Sequence, residues 1–198
     1  SKGISALVGL ENIREEDDGI IRLNVKAGEG EAPGLFGLPF ADSFEADETV
    51  WTFEQLKGNT GWKIGGSEIF GVSMGAADGK RYLKMNNEKG LLGFRSVARA
   101  ISPVIKNDSG NIWLSFMYHN GGRFSVSGTL KVLYKSTMQE NWLPLISFSE
   151  RNEGWVQYRG FMLASKEDFQ IAFEGEVEAG LLLIDDVRIY SDAATSAS

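Results

Sequence analysis

The stretch Leu181-Leu182-Leu183-Ile184-Asp185-Asp186-Val187-Arg188-Ile189-Tyr190 decides the fold. It reads as a final β-strand with two adjacent carboxylates in its middle. Side chains alternate across a strand, so regular pairing puts Leu183, Asp185, Val187 and Ile189 on one face. Ile184, Asp186, Arg188 and Tyr190 then share the other. One carboxylate joins an apolar, core-facing set, where an unpaired charge is costly. Asp185 is therefore expected to be structural: hydrogen-bonded, protonated or metal-linked. Asp186 points away, free to meet a cation or a partner group. Closing a turn or pairing with Arg188 is the simpler use of the two acids.

Working outward, strand-like runs recur. They cover 40–44, 51–56, 62–64, 81–85, 112–118, 129–135, 143–148, 155–163 and 169–174. In the last of these, Phe169, Ile171 and Phe173 alternate with Gln170, Ala172 and Glu174, the pattern of a strand buried on one face. The chain holds 12 Phe, 5 Trp and 5 Tyr with 24 Gly and only 4 Pro. That balance favours many short strands joined by glycine turns. No segment carries a 3.6-residue period, so the expected fold is all-β, an antiparallel sandwich. Residues 1–27 read as a β-hairpin appendage turning at Asp18-Gly19, a unit too small to fold alone. Residues 28–39 read as a linker, 40–191 as the sandwich and 192–198 as a flexible tail. The abrupt opening at Ser1-Lys2-Gly3 suggests a processed or excised piece.

Composition excludes several functions. A net charge of −7 with no basic stripe argues against nucleic acid. No run approaches the roughly 20 apolar residues of a membrane span. With no cysteine, disulfides, thiolate metal sites and thiol nucleophiles are out, and the single histidine, His119, removes histidine-rich zinc sites. His119 itself reads as a strand-end residue. Asn107-Asp108-Ser109 fits both a glycosylation sequon and a polar turn.

For ligand binding, Trp142 stands out in the polar stretch Gln139-Glu140-Asn141-Trp142, with Trp155 and Tyr158 following. An aromatic face flanked by polar groups suits a sugar, while an aromatic lid over a sheet edge is the commoner use. Trp51, Trp62 and Trp113 are expected in the core.

The order of several short motifs carries a resemblance. Phe40-Ala41-Asp42-Ser43-Phe44-Glu45 is followed by Trp51, Gly61-Trp62 and Gly79-Lys80-Arg81-Tyr82-Leu83. Then come Ala100-Ile101-Ser102-Pro103, Trp113-Leu114-Ser115-Phe116-Met117-Tyr118 and Ile184-Asp185-Asp186-Val187. Across about residues 40–190 this order resembles the MAM and cleaved-adhesin domains, the latter found in secreted bacterial proteases. The resemblance implies a jelly roll of the concanavalin or galactose-binding kind. It also implies that Glu45 and Asp186, with Asp42, share a structural cation such as calcium or sodium, or else one water-bridged network. The chain lacks the MAM cysteines and the Asp-Gly-Asp-Gly run of cleaved adhesins, departures that favour a bacterial member. Leu10-Glu11-Asn12-Ile13 and Gly19-Ile20-Ile21-Arg22-Leu23 resemble the last strands of some exported metalloprotease units. The implied function is a non-catalytic accessory or adhesion module, secreted or at the cell surface. Its implied partners are a glycan, a protein surface or an upstream catalytic domain. The alternative is a jelly-roll glycoside hydrolase or lyase, with Glu150, Glu153, Glu174 and Glu176 as the carboxylates.

Overall fold

A computed structural model describes residues 8–15, 21–27, 35–66, 74–87, 94–108, 110–122 and 127–192, the first two segments by their backbone. The chain divides into two units, Ser1–Gly34 and Leu35–Ser198. In the first, β1 (Val8–Glu15) pairs antiparallel with β2 (Ile21–Ala27). The acidic tip at 16–18, the linker through 34 and the tail from 193 lie outside the described residues.

The second unit is a two-sheet sandwich. One sheet runs β13 (Val156–Ser165), β10 (Gly110–Gly122), β15 (Gly180–Ser191), β7 (Tyr82–Asn86), β6 (Lys63–Gly65), and β4 (Phe40–Asp42) also pairs with β15. The other runs β12 (Leu143–Phe148), β11 (Thr129–Ser136), β14 (Phe169–Val177), β8 (Ser96–Ile101), β5 (Thr52–Lys57). At one end of β14, β9 (Val104–Ile105) adds on and carries β3 (Leu35–Phe36) in the sandwich's parallel pairing. All other pairings described are antiparallel, and this is the jelly-roll sandwich. It begins at Leu35 rather than Phe40, so residues 35–39 belong to the fold and not to a linker.

Alternation builds the core. Leu114 and Phe116 of β10, Leu182 and Ile184 of β15, and Ile171 and Phe173 of β14 meet between the sheets. Trp51 stacks on Phe173 at 5.6 Å, and Trp62 is also buried, as expected of both. β8 had no hydrophobic run to announce it because its core-facing residues are Ser96, Ala98 and Ala100.

The last strand departs from simple alternation. Asp185 lies opposite Met117 and Arg188 opposite Ser115, so Asp186 and Val187 together face the single residue Phe116. This is a β-bulge, and Asp186 takes the left-handed conformation (φ +46°) that such bulges often give to glycine. The extra residue flips the parity. Leu182, Ile184, Val187 and Ile189 enter the core, while Leu181, Leu183 and Asp185 point to the outer face of the sheet. Asp185 is fully buried as expected, but on the opposite face from Val187.

Candidate functional site

A strap covers one half of the outer face of the six-stranded sheet. Residues 74–81 cross above Tyr82, Leu181 and Leu183, and Met74, Ala76 and Trp155 pack with these three into a second small apolar cluster. Carboxylates from two places in the chain hold the strap. Asp185 Oδ2 accepts the amides of Ala77 (2.8 Å) and Asp78 (3.0 Å), and its Oδ1 accepts the amide of Asp186 (2.7 Å). Glu45 Oε1 accepts the amides of Lys80 (2.8 Å) and Arg81 (2.6 Å). Trp155 Nε1 donates to the Gly75 carbonyl (2.9 Å) and the Tyr82 hydroxyl to that of Met74 (3.3 Å). Burial pushes the Asp185 carboxyl up to about 6, against the three amides that favour its charged form. The two amides on Glu45 hold its carboxyl below the usual range.

The other half of the face is open. Cross-strand register sets its side chains in rows. Phe161, Trp113 and Tyr190 form one row across β13, β10 and β15, and Arg159, Ser115 and Arg188 form the next. Trp113 meets Phe161 edge to face at 5.5 Å, and Phe161 is 51% exposed. The second row floors a hollow of about 710 Å³, which Gln157 also lines and which Asp78 of the strap and residues 39–43 wall. Arg159 donates from Nε to the Tyr190 hydroxyl (2.8 Å) and lies 5.7 Å from that ring's centre. Arg188 Nε donates to Asp186 Oδ1 at 2.8 Å, and the Asp186 charge strengthens its hold on its proton.

The sequence-derived site residues fall in different places. Trp142 is half-buried on the outer face of the seven-stranded sheet, with Lys135 Nζ at 5.0 Å and the Arg99 guanidinium at 5.9 Å from its ring centre. Trp155 belongs to the cluster under the strap, and Tyr158 packs against Phe116 and Phe148 at the core. These three do not form one platform. Trp113, expected in the core, stands instead in the open row, because the β13–β10–β15 register turns it outward with Ser115.

Asp42 and Asp186 both line the hollow, whereas Glu45 does not. Asp42 accepts Trp51 Nε1 (2.9 Å) and the Phe44 amide (2.7 Å). The carbonyls of Glu45 and Ala46 accept Arg81 Nη1, at 3.4 and 2.7 Å. Among the described residues no three acidic or histidine side chains converge as a metal cage. Calcium takes six to eight oxygens, and in this arrangement Asp42, Glu45 and Asp186 each already accept hydrogen bonds from protein donors.

Of the paired-carboxylate alternatives, Glu174 bridges Arg99 (2.8 Å) and Lys131 (3.2 Å), and Glu176 pairs with Arg95 (3.1 Å). Glu150 and Glu153 are exposed between β12 and β13. His119 Nδ1 sits 3.3 Å from the Gly154 carbonyl. Asn107 is buried and its side-chain amide donates to the Ser165 carbonyl, which suits the polar-turn reading.

A jelly roll whose last strand carries a carboxylate pair at a bulge, beside an open polar face, makes this a two-sheet antiparallel β-sandwich module. Residues 43–194, more than half of the chain, match the MAM domain (meprin/A5/mu), and the chain belongs to that family. Neuropilin-1 of Mus musculus is 32% identical over 108 residues, covering 52% of this chain and 11% of neuropilin-1. The chain thus spans about a tenth of the length of the curated relatives it matches. Among solved structures, the K1 cleaved adhesin domain of Lys-gingipain from Porphyromonas gingivalis W83 superposes with a TM-score of 0.59 at 18% identity. That likeness covers 79% of this chain and 99% of the domain. TmCBM61, solved in complex with beta-1,4-galactotriose, gives a TM-score of 0.51 at 13% identity, covering 72% and 88%. At these identities both share the fold. Among the described residues no helix is long and apolar enough to cross a membrane.

Proposed function

We propose that the chain is a non-catalytic recognition module of an exported bacterial protein, accessory to a catalytic unit such as a protease, and that it binds glycan on the open half of its six-stranded sheet. The observation that carries this reading is the hollow of about 710 Å³ beside the Phe161–Trp113–Tyr190 row. Sugars need apolar faces for their C–H surfaces and a mixture of donors and acceptors for their hydroxyls. Here Ser115, Gln157, Arg159 and Asp78 supply both kinds in a hollow that Tyr190 lines, with Trp113 and Phe161 in the same cross-strand row as Tyr190. The galactotriose bound by TmCBM61, on the same fold, adds support by analogy.

A glycan array probed with the wild-type chain and with Ser115→Tyr tests the site. Tyrosine at the floor between Arg159 and Arg188 fills the hollow from an outward-facing position. Binding by the wild type that falls at least about tenfold in the variant, at an unchanged melting temperature, is the expected result. Tenfold corresponds to about 1.4 kcal/mol. A silent array, or binding that survives the substitution, overturns the assignment.

A further inference from the structure

We infer that the hollow selects an acidic sugar, with the carboxylate of a uronate-type unit held by Arg159; this rests on the glycan reading above. The two arginines of the floor are not equivalent. Arg188 is paired at 2.8 Å with Asp186 and feels Asp78 as well, so its charge is already answered. Arg159 has no carboxylate partner among the described residues. Its Nε is used by the Tyr190 hydroxyl and its Cζ lies 5.7 Å from the Tyr190 ring centre, contacts that together restrain the guanidinium. The two terminal Nη groups remain, the edge that meets a carboxylate bidentately. Because the guanidinium is already held by tyrosine, little side-chain freedom is left to lose on binding.

The opposite charge stands on the strap. Asp78 lines the same hollow, with its amide fixed by Asp185, and its carboxylate suits the hydroxyl donors of a sugar. Asp42, the other acid of the lining, already accepts Trp51 Nε1 and the Phe44 amide. The hollow is therefore polarised, with a cation on β13 and an anion on the strap. A ligand carrying both a carboxylate and hydroxyls answers both ends, whereas a neutral sugar leaves Arg159 without its strongest partner. The chain's net charge of −7 opposes acids at long range, but that field is screened beyond about 8 Å at physiological salt. Selection then comes from contact at Arg159. An acidic peptide offers the same carboxylate, but it lacks the ring hydroxyls that suit Asp78, Gln157 and Ser115.

Calorimetric titration of the full chain with trigalacturonate, β-1,4-galactotriose and hexaglutamate tests this. The uronate should bind at least about tenfold more tightly than the neutral trisaccharide. Arg159→Gln should bring that ratio to about one, and Arg159→Lys should leave it in between, since the charge stays and the fork is lost. Tyr190→Phe, which removes only the hydroxyl that fixes Arg159, should reduce the ratio without abolishing sugar binding. Arg159 and Tyr190 lie on the outer face, and melting curves of each variant check the fold. Equal or tighter binding of galactotriose, or a ratio indifferent to Arg159→Gln, overturns the inference and leaves the glycan reading standing. Hexaglutamate binding as tightly as the uronate overturns it in favour of an acidic protein partner. No binding of either sugar removes the glycan reading, and this inference with it.

Discussion

Asp185 is a fully buried acid held by three backbone amides, with no cationic side chain on it among the described residues. Its carboxyl sits near 6 in the folded chain, against an ordinary value of 3.8. Between those values the native state holds a proton that the unfolded chain has released, so stability falls as pH rises. The contribution is complete below about 3.8 and is lost as pH passes through about 6. Glu45 runs the other way, because its lowered carboxyl adds stability above the ordinary value of 4.5 and loses it on acidification. Between about pH 5 and pH 7.5 the Asp185 effect is therefore the one to see. Urea titrations should show the wild type more stable at the lower pH, and Asp185→Asn should flatten that difference. The variant should also cost about 1–3 kcal/mol near pH 5, since an amide side chain cannot satisfy all three donors. A wild type that strengthens on going from pH 5 to 7.5 would contradict the burial argument. The burial of this residue was legible from its place in an apolar strand. Its face was not, because the parity depends on a bulge signalled only by an aspartate standing where glycine is common.

At the scale of the element, the strap shows how a loop becomes part of a sheet's surface. Asp185 anchors it at 77–78, Glu45 at 80–81, and Trp155 and Tyr82 hold its first residues. Gly79 lies between the two carboxylate anchors with φ +71°, and a Cβ there would come 2.5 Å from the Glu45 carboxyl carbon. The anchors should act separately. Under hydrogen exchange, Glu45→Ala or Gly79→Ala should speed the amides of Lys80 and Arg81 by about tenfold, the scale of one lost hydrogen bond. The amides of Ala77 and Asp78 should hold their rates in those variants and quicken in Asp185→Asn. Simultaneous loss at both ends in every variant would mean that the strap opens as one piece. Little of this was readable beforehand. Most of the strands announced themselves by aromatic and branched residues, but β8 buries alanine and serine, and β3 is only two residues, set between Gly34 and Gly37. The open row was hidden for a related reason. Trp113 has the composition of a core residue, and only the pairing of β10 with β13 and β15 shows that it points outward.

At the scale of the molecule, the question is what closes the sandwich where its first and last strands meet. Val187 pairs with Asp42 and Ile189 with Phe40, which brings acids from β4 and β15 to the same end of the sheet. Negative groups gathered in this way need compensation, and a divalent cation would be one source. The structure supplies others. Asp42 takes an indole and an amide, Glu45 takes two amides, Asp186 takes Arg188, and Arg81 donates to the carbonyls of Glu45 and Ala46. Arg81 thus places a fixed cation among oxygens that a hard metal would otherwise seek. A bound ion would stabilise the native state by about 2.7 kcal/mol at a hundredfold excess over its dissociation constant. That is a shift of several degrees for a domain of this size, at about 2–4 °C per kcal/mol. With protein donors in place, melting in millimolar calcium and melting in chelator should differ by less than about 2 °C, and Arg81→Met should lower both curves equally. A larger rise with calcium that Asp186→Ala erases would show that the carboxylates exchange their protein donors for the ion. In Arg81→Met, calcium that restores the lost stability would identify the guanidinium as occupying the place of a metal.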